Sequence, residues 1–216
     1  MPQFGTALKI AIILVVITLC GWGTASAEAG RRLSQVGVDF GWAQPYGDLA
    51  QDYTSTDLGF GAGEALQLGF FWRYPLSGNV SLSPAFHFVD YGDFSGVDET
   101  IGDFRIATSS LRYTLELLLI RGSAGKGARP FLAFSGGLYR DRVVGFTKGR
   151  WQPFDRSVNS LGFGVRAGVQ LGDFEFSADY SVDRFSTWQY FRTGEAVDYN
   201  WDNFAVRVGW LIPFTD

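Results

Sequence analysis

Cysteine, histidine, basic excess and long apolar runs are all scarce in this chain of 216 residues. The one cysteine, Cys20, lies in an N-terminal segment that reads as a secretory leader. Lys9 is its only charge, Ile10 to Leu19 is apolar, and Ala25-Ser26-Ala27 supplies a small-x-small cleavage site. Cys20-Gly21 also raises a lipid-attachment site, but Leu19 stands where such signals favour a small residue. Cleavage after Ala27 is therefore expected. A secreted chain left without cysteine has no disulfides and must be held by a core or a closed sheet. Lys9 departs with the leader, so 17 bases face 22 acids, a net charge of −5. That modest acidic balance, without a basic stripe, gives no footing for nucleic-acid binding. Past the leader no run approaches the ~18 apolar residues of a membrane helix, and the leader's own run is too short for one. With His87 the only histidine, neither a metal site nor a catalytic triad is expected, and no cofactor is implied.

What the chain has in quantity is aromatic residues, at 17%, and 28 glycines, spread through an alternating pattern. From Phe204 to Phe214 every second residue is apolar, the period of a β-strand with one apolar face. Seven further stretches alternate in the same way: 35–42, 59–74, 80–90, 105–121, 129–140, 160–171 and 174–183. The fifth is the weakest, with Leu132, Phe134 and Leu138 assigned outward. In the third, Pro84 sits on the apolar face and should cost a ladder hydrogen bond. The connections after the second, fourth and sixth stretches are short, and Gly172-Asp173 is a two-residue hairpin signal. Those after the odd-numbered stretches, 43–58, 91–104, 141–159 and 184–200, are long.

Short turns at one end and long loops at the other are the sorting of a membrane barrel, with both termini on the short-turn side. The fold class expected is all-β, an eight-stranded antiparallel up-and-down transmembrane β-barrel in the bacterial outer membrane. Residues 1–27 are then a removed signal peptide, 28–34 a short periplasmic segment and 35–216 the barrel domain. A soluble lipocalin-type barrel is the competing fold, but it would turn its polar face outward.

The chain resembles the small outer-membrane barrels of the outer membrane protein A-like and W-like group. The residues carrying the resemblance are Pro45-Tyr46-Gly47-Asp48-Leu49, Gly59-Phe60-Gly61-Ala62-Gly63, Tyr74-Pro75-Leu76 and Tyr91-Gly92. The resemblance implies that Phe204–Phe214 is the strand read by the barrel-assembly machinery, although Thr215 and Asp216 follow where the family ends on the aromatic residue.

The inward faces carry Asp39, Arg112, Glu116, Arg166, Glu175, Asp179 and Arg207, near balance in charge. An eight-stranded barrel is only wide enough for its own side chains, so these are expected to form a structural ion-pair network rather than a filter or a catalytic site. Phe71, Leu118, Phe131 and Leu211 should close the periplasmic mouth. Trp42, Trp72, Tyr74, Trp201, Trp210 and Phe214, near strand ends, are assigned to two aromatic girdles. The third loop, with Arg142, Lys148, Arg150 and Arg156 against Asp141 and Asp155, is read as basic and suited to lipopolysaccharide phosphates.

Three roles follow in order of expectation. The first is a non-enzymatic, monomeric structural or surface-interaction protein, with membrane lipid and lipopolysaccharide as its partners. The second is a carrier releasing small apolar molecules sideways into the bilayer, with Phe60, Phe94, Phe104, Phe146 and Trp151 as loop contacts. The third is a lipid-modifying enzyme, disfavoured because Ser81, Ser83 and His87 share the inward face.

Overall fold

The computed structural model describes residues 34–50, 61–98, 102–122, 127–147, 154–189 and 196–213. They form eight strands: β1 Gln35–Gly47, β2 Ala65–Pro75, β3 Val80–Asp98, β4 Gly102–Ile120, β5 Ala128–Thr147, β6 Phe154–Leu171, β7 Phe174–Gln189 and β8 Ala196–Pro213. Each pairs antiparallel with its neighbour in sequence, and β1 closes on β8 from Gln35↔Pro213 to Gly47↔Trp201. Closure leaves no sheet edge around the wall of the barrel, which is what a sheet surrounded by hydrocarbon requires.

The alternation read from the sequence is the alternation of the barrel wall. Phe40, Leu68 and Phe163 point outward and are 58, 59 and 60% exposed, while their neighbours Asp39, Gln67 and Gly162 are buried. Apolar side chains left open on every strand would be an aggregation surface in water, and they suit a lipid solvent. Leu132 keeps the outward parity but is only 4% exposed, in a register row with Leu119 and Ala167, which are also poorly exposed. Its assignment to the open face is therefore corrected.

Local chemistry fixes the turns and the flaws in the ladder. Leu171 and Phe174 pair across Gly172-Asp173, and Gly172 has φ of 61° whereas Asp173 stays at negative φ. Positive φ at the first central residue alone is the II′ form, which glycine enters without strain. Between β2 and β3 the pairs Phe71↔Ala85 and Tyr74↔Leu82 form, but the two rows between them do not. Pro84 lies in that gap and has no N–H to donate.

Within the described residues, the long loops of the sequence reading are mostly strand. β3 and β4 pair up to Asp98↔Gly102, β4 and β5 to Phe104↔Thr147, and β5 and β6 to Gly145↔Phe154. A four-stranded sheet therefore continues beyond the apolar belt. Among the described residues most outward side chains there are polar, Asp93, Ser95, Arg105, Arg142, Asp155 and Ser157 among them, with Val97 an exposed exception. The apolar signal therefore fades while the backbone ladder, which needs no apolar side chain, goes on.

Gly137 is the tightest point of this wall. A Cβ there would overlap the Tyr113 carbonyl oxygen, a backbone atom that cannot swing aside. Gly137→Ala is expected to cost about 1–3 kcal/mol, the usual range for overpacking. The urea midpoint of the barrel folded in lipid checks this, and an unchanged midpoint would refute the close approach.

Candidate functional site: a filled lumen

Inward-facing residues fill the barrel in three layers. At the short-turn end Phe71, Ala85 and Leu211 pack in one cluster and Leu118, Ile120, Phe131 and Ala133 in another. This is the closure expected from the sequence. Phe71, Phe131, Leu118 and Leu211 are no more than 2% exposed. Arg73 and Arg166 lie over the Phe71 and Phe131 rings at 5.4 and 5.1 Å, so the rings of this apolar seal also face charged groups.

The middle layer is ionic. Arg166 bridges two carboxylates, with Nη1 donating to Glu175 Oε1 and Nη2 to Glu116 Oε2. Arg73 Nη2 donates to the second Glu175 oxygen at 2.6 Å. Arg207 Nε lies 2.8 Å from Asp179 Oδ1, and its Nη atoms lie 3.6 Å from Asp39 and 4.0 Å from Glu116. Arg207 Nη1 is also 2.7 Å from His87 Nε2, which in turn is 3.3 Å from Asp39 Oδ2. Arg112 differs from the others. It donates to Tyr91 Oη at 2.6 Å and Ser181 Oγ at 3.0 Å, and it lies over the Tyr139 ring at 5.0 Å.

All seven charges named from the sequence are buried in this lumen, none more than 9% exposed. Pairing cannot be read from alternation, because partners such as Arg73 and Glu175 are 102 residues apart. The sequence reading omits Arg73, Arg129, Asp141 and Asp183, which are buried as well. Arg73 carries the right signal, an inward parity shared with Gln67. Asp141 reads in the sequence as a solvated loop charge and is 1% exposed inside the barrel, because β5 continues past the expected strand end.

The upper layer is apolar again. Leu49, Val89, Tyr91, Phe104, Ile106, Val143, Tyr199 and Trp201 form one buried cluster, with Phe94 packed against it. Trp201 is thus corrected: it is not a girdle residue but a lumen plug, 2% exposed. It shares the odd numbering of Arg207 along β8, so its face is fixed by parity, not by its place near a strand end. Trp42, Trp72, Tyr74 and Trp210 do face outward, and Trp42 Nε1 donates to Glu64 Oε2 at 3.1 Å. Phe214 lies outside the described residues. So do Phe60 and Trp151, and of Phe146 only the backbone is described. Phe94 and Phe104 are a tilted ring pair with centroids 5.8 Å apart.

A polar cavity of about 20 Å³ lies among Gln67, His87, Arg112, Glu116, Arg166 and Arg207. That volume admits about one water molecule. Outside the wall, Arg142 Nε bonds Asp155 Oδ1 at 2.9 Å on the β5–β6 hairpin. The hydrogen bonding from Arg142 holds the exposed Asp155 carboxyl below its ordinary range.

A closed antiparallel sheet with an apolar exterior and a charged interior is an eight-stranded transmembrane β-barrel, the architecture of small bacterial outer-membrane proteins. Solved structures of that class share the fold. Over 83% of this chain and 97% of the other, the barrel matches Ail, the attachment invasion locus protein of Yersinia pestis, with TM-score 0.53 and 11% identity. The N-terminal barrel domain of Pseudomonas aeruginosa OprF matches over 82% and 97%, with TM-score 0.47 and 12% identity. Neisserial surface protein A matches over 84% and 97%, with TM-score 0.49 and 13% identity. No protein-family model matches the sequence, and the search of curated proteins found no match.

Proposed function

We propose that this protein is a non-enzymatic, non-conducting outer-membrane anchor that holds tall β-hairpins at the cell surface for contact with other molecules. The observation supporting this most strongly is the lumen, filled by apolar seals at both ends and an ion-pair core between them. A pore needs a continuous aqueous path, and ion pairs this well buried cost about 3–5 kcal/mol to break singly. Ser81, Ser83 and His87 all face this closed interior. That position keeps them from membrane lipid and argues against lipid-modifying chemistry. The hairpins beyond the belt carry Arg105, Arg140 and Arg142 among acids, a surface suited to lipopolysaccharide phosphates. The strand Phe204–Phe214 remains the segment proposed for the assembly machinery, and the barrel is proposed to act as a monomer.

The full-length protein reconstituted in planar bilayers is expected to give no steady conductance above the lipid baseline. Reproducible open-channel steps would overturn the proposal. The carrier reading keeps one supporting observation, the Phe94–Phe104 aromatic pair at the hairpin end. Uptake of an apolar solute that is lost with Phe104→Ala in an intact barrel would favour the carrier instead.

A further inference from the structure

We propose that Asp141 and Asp183 share a single proton at the top of the ionic core, clasping β5 to β7 and making the hairpin end of the barrel sensitive to alkaline pH. This does not rest on the function proposed above. Both side chains are 1% exposed. Their carboxyl groups lie within hydrogen-bonding reach of each other, and Ser110 bonds to Asp141. Asp141 Oδ2 and both Asp183 oxygens receive no hydrogen bond from any other group. Two carboxylates facing each other in a closed interior, with no donor between them, cannot both stay ionised. One proton converts their repulsion into an O–H···O bond from one carboxyl to the other.

The charge balance of the lumen supports the same conclusion independently. Among the described residues, five buried arginines face inward with six of the seven buried carboxylates; the seventh, Asp202, has the outward parity of β8 and pairs with the exposed Arg184. Asp39, Glu116, Glu175 and Asp179 each lie within ion-pair distance of Arg73, Arg166 or Arg207. The remaining two carboxylates are this pair, and one proton makes the buried set neutral.

The charged and titratable groups around the pair are Tyr91 from β3, Arg112 from β4, Tyr139 from β5, Asp179 from β7 and, farther off, Arg207 from β8; Arg184, next to Asp183 on the outward face of β7, is engaged by Asp202. The inward faces of β6 and β8 add the neutral Ser160 and Asn203. Arg112 is the cation beside the pair and offsets one negative charge, not two. Asp183 pairs in register with Trp201, and Asp141 is two residues from Val143, so the clasp lies directly under the upper apolar plug. The folded chain holds a proton that the unfolded chain has released at neutral pH, so the clasp weakens as pH rises. The proton leaves to hydroxide, and the restored repulsion pushes β5 from β7 beneath the plug.

Infrared spectroscopy of the lipid-embedded full-length protein, with ¹³C-labelled aspartate, tests this. The expected result is a protonated-aspartate carbonyl band at neutral pH. It should disappear on alkaline titration together with faster amide exchange at the hairpin end. Asp183→Asn should remove the band and the alkaline response while leaving the fold intact, since its amide can donate to Asp141. No such band in the wild-type protein at neutral pH would overturn the proposal, as would an alkaline response undiminished in Asp183→Asn. A missing band with stability lost to a chelator would replace the proton by a cation, and so also overturn it. Should the variant fail to fold, the wild-type band decides alone: its presence supports the shared proton and its absence overturns it.

Discussion

Arg166→Met is expected to lower the unfolding free energy of the barrel by about 3–5 kcal/mol, the cost of removing one partner from a buried ion pair. Methionine keeps much of the length and fills the space, so the effect reads out charge rather than a cavity. Glu116 and Glu175 both lose their guanidinium, and Glu175 is left with Arg73 alone. Glu116 keeps only the distant Arg207, at 4.0 Å. The stack over the Phe131 ring goes too. Adding Glu116→Gln to Arg166→Met should recover part of the loss, because it removes one stranded charge. Urea unfolding in lipid vesicles, followed by tryptophan fluorescence, measures both. A loss under ~1 kcal/mol would mean these groups are solvated, as exposed pairs are, and the lumen would not be closed.

Leu68→Arg carries the second large effect. Leu68 points outward between Phe40 of β1 and Phe88 of β3, in the middle of the apolar belt. Arginine near the bilayer midplane of a barrel costs about 2–4 kcal/mol, falling to ~0–1 kcal/mol near the interface. Tyr74→Arg on the same face, at the end of β2, should therefore be milder by most of that difference. The comparison is made by unfolding equilibrium in bilayers and by the mobility of unboiled and boiled samples on a gel. Equal costs at the two positions would place the belt wrongly along the strand. Full assembly of Leu68→Arg at wild-type stability would reverse inside and outside.

The face of each residue is legible in the sequence wherever an apolar side chain marks every second position. That rule carries the fold, the inward charges and the gap at Pro84. It fails where polar residues take over the outward positions. Arg140, Arg142 and Arg184 mark the end of the belt, not of their strands, and the ladder beyond them leaves no regular apolar alternation. Asp141 is lost to the site for that reason, whereas Asp183, the last residue of its stretch, carries the same inward parity as Asp179. Trp201 is misplaced for a different one: an aromatic near a rim suggests a girdle, but parity outranks position. The pairing of charges is out of reach altogether. Alternation assigns a face and says nothing of height, and Arg73 meets Glu175 only because the intervening strands fix the register between β2 and β7.

Cysteine scanning along β2 with a lipid-soluble quencher tests the central claim most directly, since cleavage of the leader would leave each introduced cysteine alone in the chain. Labels at positions 66, 68, 70 and 72 should be quenched from the lipid phase. Labels at 67, 69, 71 and 73 should be shielded or disrupt folding, because those side chains enter a filled lumen. Quenching without that two-residue period, or with the two sets exchanged, would contradict a closed barrel with lipid outside and ion pairs within.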